Sequence, residues 1–265
     1  MNKETLLVIK IGGNVIDNES FLDSFLKDLS AIQQPKILVH GGGKLATQLS
    51  AKLGIETQII DGRRITDAET IKIVTMVYAG LVNKNIVAKL QANSCNAVGL
   101  SGADAQLIQA HKRNHPTIDF GFVGDIDTVN HQFLQTLIAD KYTPVIAPIS
   151  MDKNGLLLNT NADTIASSVA LAMSSAFKVK LFYCFEKKGL LSNVNDEKSI
   201  ISSIKINDIQ QMIDNKVIID GMIPKVQNIK YAIQQGVDSV CLCHASNLLD
   251  ISRESGIFGT TFYNE

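Results

Sequence analysis

Leu6-Leu7-Val8-Ile9-Lys10-Ile11, followed by Gly12-Gly13-Asn14, decides how this chain is read. The first six residues make a short apolar strand with one charge in it, and the glycine pair ends it. A parallel strand covered on both faces is nearly all apolar, so Lys10 is out of place. Glycine lets backbone N–H groups approach a ligand closely, because no Cβ stands in the way. A cation at the carboxyl end of a strand, beside bare amides, suits a phosphate or another anion. The plain alternative is a strand-end lysine with its amine in water.

Around that stretch lie 265 residues, room for one large α/β domain or two lobes. With 45% hydrophobic and 19% charged residues the chain folds around a sizeable core, and a net charge of −1 gives no case for nucleic acid or an acidic membrane surface. Cys95, Cys184, Cys241 and Cys243 fall in apolar or loop segments without the spacing of a zinc site or disulfide framework. Cys241-Leu242-Cys243-His244 reads as strand core. There is no signal-peptide apolar region, and no apolar run approaches the ~18 residues of a membrane span. A reducing cytoplasm is the expected compartment.

Strand and helix patterns alternate almost throughout, which predicts a mainly parallel sheet with helices on both faces. Asn18 caps a helix carrying Phe21, Leu22, Phe25, Leu26 and Leu29 on one face. A second strand, 36–39, ends in His40-Gly41-Gly42-Gly43, and a helix follows over 44–53, with Gly54 as its stop. Residues 56–65 read as a hairpin turning at Asp61-Gly62. Thr66-Asp67-Ala68-Glu69 is a capping box opening a long helix that runs beyond Tyr78. Strands are expected at 97–100, at 107–111 and 121–126 (an antiparallel pair), and at 143–147. Asp152-Lys153-Asn154-Gly155 turns a hairpin into Leu156-Leu157-Leu158, and Asn159-Thr160-Asn161-Ala162-Asp163 stands directly ahead of another helix. From Lys178 the strand–helix pattern begins again. The division falls between residues 1–170 and 171–265, two lobes of one continuous fold.

Three further constellations carry chemistry. His40-Gly41-Gly42-Gly43 is an anion cradle, since the helix behind it offers free N–H groups and a positive dipole end. It is no P-loop, because Leu45 stands where a magnesium-binding hydroxyl is needed. It does fit a loose dinucleotide pattern, Gly41-x-Gly43-x-x-Ala46, and tight-turn geometry alone also explains the glycines. Asn159, Asn161 and Asp163 alternate before a helix and can aim into one space; the plainer reading has Asn161 as the helix cap. Asp163 makes sense if it positions cations such as Lys10 and a second lysine, Lys225. A lysine in a first helical turn opposes the helix dipole unless an anion binds there. Arg64, at the end of a hairpin strand, can clamp a carboxylate bidentately; a surface arginine is the alternative.

Taken together these stretches resemble the amino acid kinase family, and within it the branch acting on N-acylated glutamates. The resemblance spans nearly the whole chain. It rests on Lys10-Ile-Gly-Gly13, His40-Gly-Gly-Gly43, Gly62-Arg-Arg-Ile-Thr-Asp67, Val98-Gly-Leu-Ser-Gly102, Asn159-Thr-Asn-Ala-Asp163 and Asp220-Gly-Met-Ile-Pro-Lys225. It implies a three-layer αβα sandwich in two lobes, the first for acylglutamate binding and dimerisation, the second for ATP. It implies phosphoryl transfer from ATP to the γ-carboxylate of an N-acetyl- or N-succinylglutamate, in arginine biosynthesis, with magnesium carried mainly by the nucleotide phosphates. By the same resemblance Lys10 and Lys225 stabilise the transferring group and Asp163 holds both lysines. Gly41, Gly42, Gly43, Arg64, Asn159 and Asn161 bind the acylglutamate. Gly12, Gly13, Glu186, Gly189, Leu191, Val217 and Ile219 belong to the nucleotide side, and no metal ligands are assigned. A homodimer, joined through the helix that starts at Asp67, is expected. Arginine-inhibited relatives carry an added N-terminal helix, so a first strand beginning at Leu6 implies little arginine sensitivity.

Two departures from the family stand out. Glu186-Lys187-Lys188-Gly189 replaces an Asp-x-x-Gly loop in the ATP lobe, and Arg63 replaces an apolar residue. Arg63 is either solvated or binds a second carboxylate, as in a succinyl group. Two other readings stay open here. One is a dinucleotide-dependent oxidoreductase with Asp61 as its ribose acid, and the other is a non-catalytic sensor on the kinase fold.

Overall fold

Alternation along Leu6 to Ile11 builds the sandwich. Leu6 and Val8 face one core and Leu7, Ile9 and Ile11 the other, all at most 2% exposed. Lys10 falls on the Leu6–Val8 face, at the strand's carboxyl end. In the computed structural model, which describes residues 3–60, 62–193, 196, 199–218, 222–252 and 259–264, this strand, Thr5–Ile11, lies inside an eight-stranded sheet. From one edge the order is Ser203–Lys205, Thr260–Tyr263, Ser239–His244, Lys178–Phe185, Thr5–Ile11, Lys36–His40, Thr143–Ile146 and Ala97–Leu100. Neighbours pair parallel throughout except Ser239–His244 with Thr260–Tyr263. The expected three-layer αβα architecture is present.

Each face of the sheet carries its own helices. On the Leu6–Val8 side, His131–Ala139, Ala162–Met173, Ile209–Asp214 and Met222–Gln234 contribute Leu134, Ile165, Val169, Met173, Ile209, Val226 and Ile229 to the core. On the other side Glu19–Ala31 buries Leu22, Phe25, Leu26 and Leu29 along the stripe its spacing predicts. The cysteines are all free and buried in strand and loop positions, as read from sequence. A smaller sheet, ordered Leu157–Asn159, Ile149–Met151, Ile108–Lys112 and Gly124–Val129, joins the antiparallel pair to the Asp152 hairpin. Ile59–Ile60 and Arg63–Arg64 form the expected short hairpin.

Two local expectations are corrected. The cap of the long helix is Asp67, whose carboxylate accepts from the N–H groups of Glu69 and Thr70, and the Thr66–Glu69 box is not made. Thr66 is buried and donates to the Arg64 carbonyl, while Glu69 pairs with Lys72 at 2.7 Å. The helix then runs unbroken over Ala68–Ala92, with a π segment at Met76–Val82. Its 25 residues have the length and mean hydropathy of a membrane span, which the sequence reading did not find. Ile73, Val74, Val77, Val82, Ile86 and Leu90, however, are packed into the protein's own core.

Candidate active site

The parallel strands Thr5–Ile11, Lys36–His40 and Lys178–Phe185 end on the same side, where open α/β sheets bind ligands. Register sets Lys10 beside Val39 on one neighbour and Tyr183 on the other. Asp163 is the second residue of the helix Ala162–Met173. Its Oδ1, itself buried, lies 2.7 Å from Lys10 Nζ, with the two side chains 16% (Lys10) and 40% (Asp163) exposed. Tyr183 braces it from below, its hydroxyl donating to the Asp163 carbonyl at 3.3 Å. Lys225 Nζ stands 5.2 Å from the ring centres of both Tyr183 and Phe185, a cation–π seat.

Electrostatics joins the three charges. Burial works against ionisation of Asp163, but the charges of Lys10 and Lys225 overcome it and hold the carboxyl below its ordinary pKa. Burial pushes the Lys225 ammonium below the ordinary lysine value; Asp163 and Glu186 oppose that and Lys10 adds to it. Lys10 and Lys225 therefore share the Asp163 carboxylate, with Glu186 acting on Lys225 as well. A Cβ on Gly12 would stand 3.8 Å from Lys10 Nζ, and one on Gly41 would stand 4.0 Å from the Gly13 nitrogen. The first two glycine stretches thus lie against each other, with the Lys10 ammonium beside Gly12.

Next to them is a pocket of about 200 Å³, lined among others by Gly41, Gly42, Gly43, Arg63, Arg64, Asn159 and Asn161. Arg64 is 7% exposed and is held by three donated hydrogen bonds, to Gly43 O (2.8 Å), Thr47 Oγ1 (2.7 Å) and Thr57 Oγ1 (2.9 Å). Its Nε is buried without a hydrogen-bond partner among the described residues. Asn159 donates to Thr66 Oγ1 at 3.0 Å. Asn161 is the helix cap of the plainer reading, accepting from the N–H groups of Asp163 and Thr164, and it also lines the pocket. Gly42 has φ +149°, and a Cβ there would lie 2.9 Å from Cδ1 of buried Tyr78. Gly42→Ala is expected to raise the KM for the pocket's ligand at least tenfold and to lower the melting temperature, by backbone strain and overpacking. Steady-state kinetics and thermal unfolding read both effects.

Glu186 directly follows the strand Lys178–Phe185 and acts electrostatically on Lys225. Gly189 has φ +150°, and a Cβ would strike Thr260 Oγ1 at 2.8 Å, the same hydroxyl that accepts from the Leu190 N–H. Leu191 bridges to Ile200, and the half-buried Val217 donates its N–H to Met212 O. None of these four lines the Arg64 pocket. Ile219, Asp220, Gly221 and Asp61 lie outside the described residues. Among the described residues no three His, Cys, Asp or Glu side chains converge as a metal site. Sequence reading passed over Tyr78, Thr47, Thr57 and Tyr183, which brace the site without contributing charge. Only aromatic and hydroxyl residues at helix, strand and hairpin positions marked them, a signal shared with any core.

A model of the amino acid kinase family matches residues 5–244. The acetylglutamate kinase of Cytophaga hutchinsonii is 54% identical over 258 residues, covering 97% of this chain and 98% of that protein. The acetylglutamate kinase of Phocaeicola vulgatus is 52% identical over 244 residues, covering 92% and 95%. Among solved structures, smu.665 from Streptococcus mutans superposes with a TM-score of 0.78 at 27% identity, covering 98% of this chain and 99% of that one. Carbamate kinase from Giardia lamblia bound to AMP-PNP shares the fold, with a TM-score of 0.72 at 14% identity over 100% of this chain and 99% of its own. With its strands, glycine turns and paired lysines in this arrangement, the chain belongs to the amino acid kinase family.

Proposed function

We propose that this chain transfers the γ-phosphoryl group of ATP to the γ-carboxylate of N-acetylglutamate, giving an acyl phosphate, as the names of its relatives suggest. The observation that carries the reading is the Lys10–Asp163–Lys225 charge cluster at the mouth of the sheet. A carboxylate is a nucleophile at neutral pH, so no general base is required. The barrier is the approach of one anion to another. Lys10 offers charge from the acceptor side, Lys225 from the ATP side, and Asp163 keeps the two cations at fixed positions. Backbone amides of Gly12, Gly13 and Gly41 to Gly43 face the phosphates and the reacting carboxylate. Arg64 and Asn159 take the α-carboxylate and acylamide end, and Asn161 orders the turn between them. Glu186, Gly189, Leu191 and Val217, on the 171–265 half, belong to the nucleotide, while the 1–170 half carries the acceptor. Magnesium would arrive on the ATP phosphates and add Lewis-acid neutralisation.

A homodimer through the helix Ala68–Ala92 is supported by Met76 and Leu81, large apolar side chains left more than half exposed; a sedimentation mass of one chain would refute it. Buried free cysteines suit a reducing cytoplasm. Nothing favours the oxidoreductase or sensor readings. Trapping the product with hydroxylamine tests the activity: hydroxamate should form only with acylglutamate and Mg-ATP together, and its absence would overturn the reading.

The acyl group itself has a second reading, because Arg63 lines the same pocket as Arg64. A second guanidinium there suits an acyl group that ends in a carboxylate, such as succinyl. The kcat/KM for N-succinylglutamate is then expected to exceed that for N-acetylglutamate by roughly tenfold, and Arg63→Leu to remove the preference. Equal rates on both substrates in the native chain would leave acetyl as the substrate.

A further inference from the structure

His40 is fully buried, yet both of its ring nitrogens have partners. Nδ1 lies 2.7 Å from the Gly41 carbonyl oxygen, which can only accept, so Nδ1 carries the proton. Nε2 must then accept, and Asn83 Nδ2 supplies the donor at 3.1 Å. The same amide nitrogen donates to Val145 O at 2.9 Å, which fixes which way the amide faces. Lys84 Nζ donates to Asn83 Oδ1 at 3.2 Å and to Gly99 O at 3.0 Å, completing a chain in which every donor meets an acceptor. Gly99 has no role in the ligand pocket, but a Cβ there would overlap Asn83 Oδ1 and stand 2.8 Å from Lys84 Nζ. That accounts for the glycine in Val98-Gly99-Leu100-Ser101-Gly102.

The consequence lies in the glycine loop. Within a planar trans peptide the C=O of Gly41 and the N–H of Gly42 point in opposite directions. Anchoring the carbonyl on buried His40 therefore fixes the direction of the Gly42 N–H, and Gly42 lines the pocket. Three consecutive glycines could otherwise rotate their peptides at little steric cost. We propose that His40 and Asn83 are positioning residues: Asn83 selects the Nδ1–H tautomer of His40, and His40 in turn holds the Gly41–Gly42 peptide in the orientation that receives the substrate's anionic group. This rests on the reading above that the glycine loop binds substrate.

Burial holds His40 down to a pKa of about 4, against the pull of the Gly41 carbonyl, so the ring is neutral across the working range. Of the titratable groups on the elements packed around it, Lys84 meets Asn83 and Tyr78 packs against Gly42. Lys10, on the neighbouring strand, is in register with Val39 and so faces the opposite side of the sheet, and Cys184 lies one strand further away.

Asn83→Asp tests the tautomer directly. A carboxylate only accepts, so a neutral His40 in that variant would put its proton on Nε2 and turn a bare Nδ1 toward the Gly41 oxygen. Only the imidazolium can donate to both. The native enzyme is expected to show no histidine limb in kcat/KM for the acylglutamate between about pH 6 and pH 8. Asn83→Asp is expected to be active at the acid end and to lose about tenfold or more as pH rises through its raised histidine pKa. His40→Asn, whose amide can still donate to Gly41 O, should stay within about threefold of native at every pH, and His40→Leu should lose about tenfold or more at every pH. A merely structural role would shift melting temperatures alike and move no pH profile. A folded Asn83→Asp enzyme with the native profile would overturn the proposal. Should that variant not fold, nitrogen-15 NMR of the native imidazole decides, since a protonated Nε2 or an imidazolium at neutral pH overturns it equally. Failure of the native chain to make any acyl phosphate would instead refute the functional reading, and the NMR result would still report the tautomer.

Discussion

Lys10→Ala and Lys225→Ala are each expected to lower kcat by roughly 10²-fold or more, with a much smaller change in the KM for the acylglutamate. Both lysines sit at the charge cluster and neither lines the Arg64 pocket. Their contribution should therefore appear where charge redistributes in the transition state, rather than in ground-state binding. Lys10 is held by an ion pair of 2.7 Å and Lys225 by two aromatic rings, so removing either leaves the other's support in place. The two losses should fall short of additive, since Asp163 is shared. Near-native turnover in both variants would contradict the assignment.

Asp163→Asn is expected to cost kcat a comparable factor, roughly 10²-fold, and to change the pH profile as well. The native carboxylate partly offsets the burial that depresses the Lys225 pKa. Without it, Lys225 should lose its proton at lower pH, and the alkaline limb of the rate profile should move toward neutrality. The sign on stability is opposite for the carboxyl itself. Its pKa is lowered in the fold, so its stabilising contribution is present above the ordinary carboxylate value and disappears as pH falls through the lowered one. Native protein should therefore lose melting temperature more steeply than the Asn variant in that acid window. An unchanged alkaline limb in Asp163→Asn would show that Lys225 does not feel this carboxylate.

The sheet and its ligand-binding end were legible because local pattern carries them. An apolar hexamer ended by two glycines reads as a strand and its end, while its one lysine suits an anion or open water alike until the other motifs are added. The pairing of Lys10 with Asp163 was legible through the resemblance, and the alternation of Asn159, Asn161 and Asp163 supported it. The shift of the cap from Thr66 to Asp67 was not, because it depends on Thr66 being drawn inward by Arg64 and Asn159. That last contact spans 93 residues of chain and leaves no trace in a local window. The same holds for Asn83 and His40, 43 residues apart. Tyr78 was placed only on a long helix, and only the packed structure shows it against Gly42. Charge and glycine announce themselves in a sequence, whereas the neutral donors and acceptors that aim them do not.

The most direct measurement follows oxygen. N-acetyl- or N-succinylglutamate labelled with oxygen-18 in its γ-carboxylate is incubated with enzyme and Mg-ATP, and the product is cleaved with hydroxylamine. Attack of the carboxylate on the γ-phosphorus puts a labelled oxygen in the bridge, so the phosphate released should carry one oxygen-18, read as an isotope-shifted phosphorus-31 resonance. Phosphate without the label, appearing at the rate of ATP consumption, would mean that water is the acceptor and would contradict phosphoryl transfer to the carboxylate.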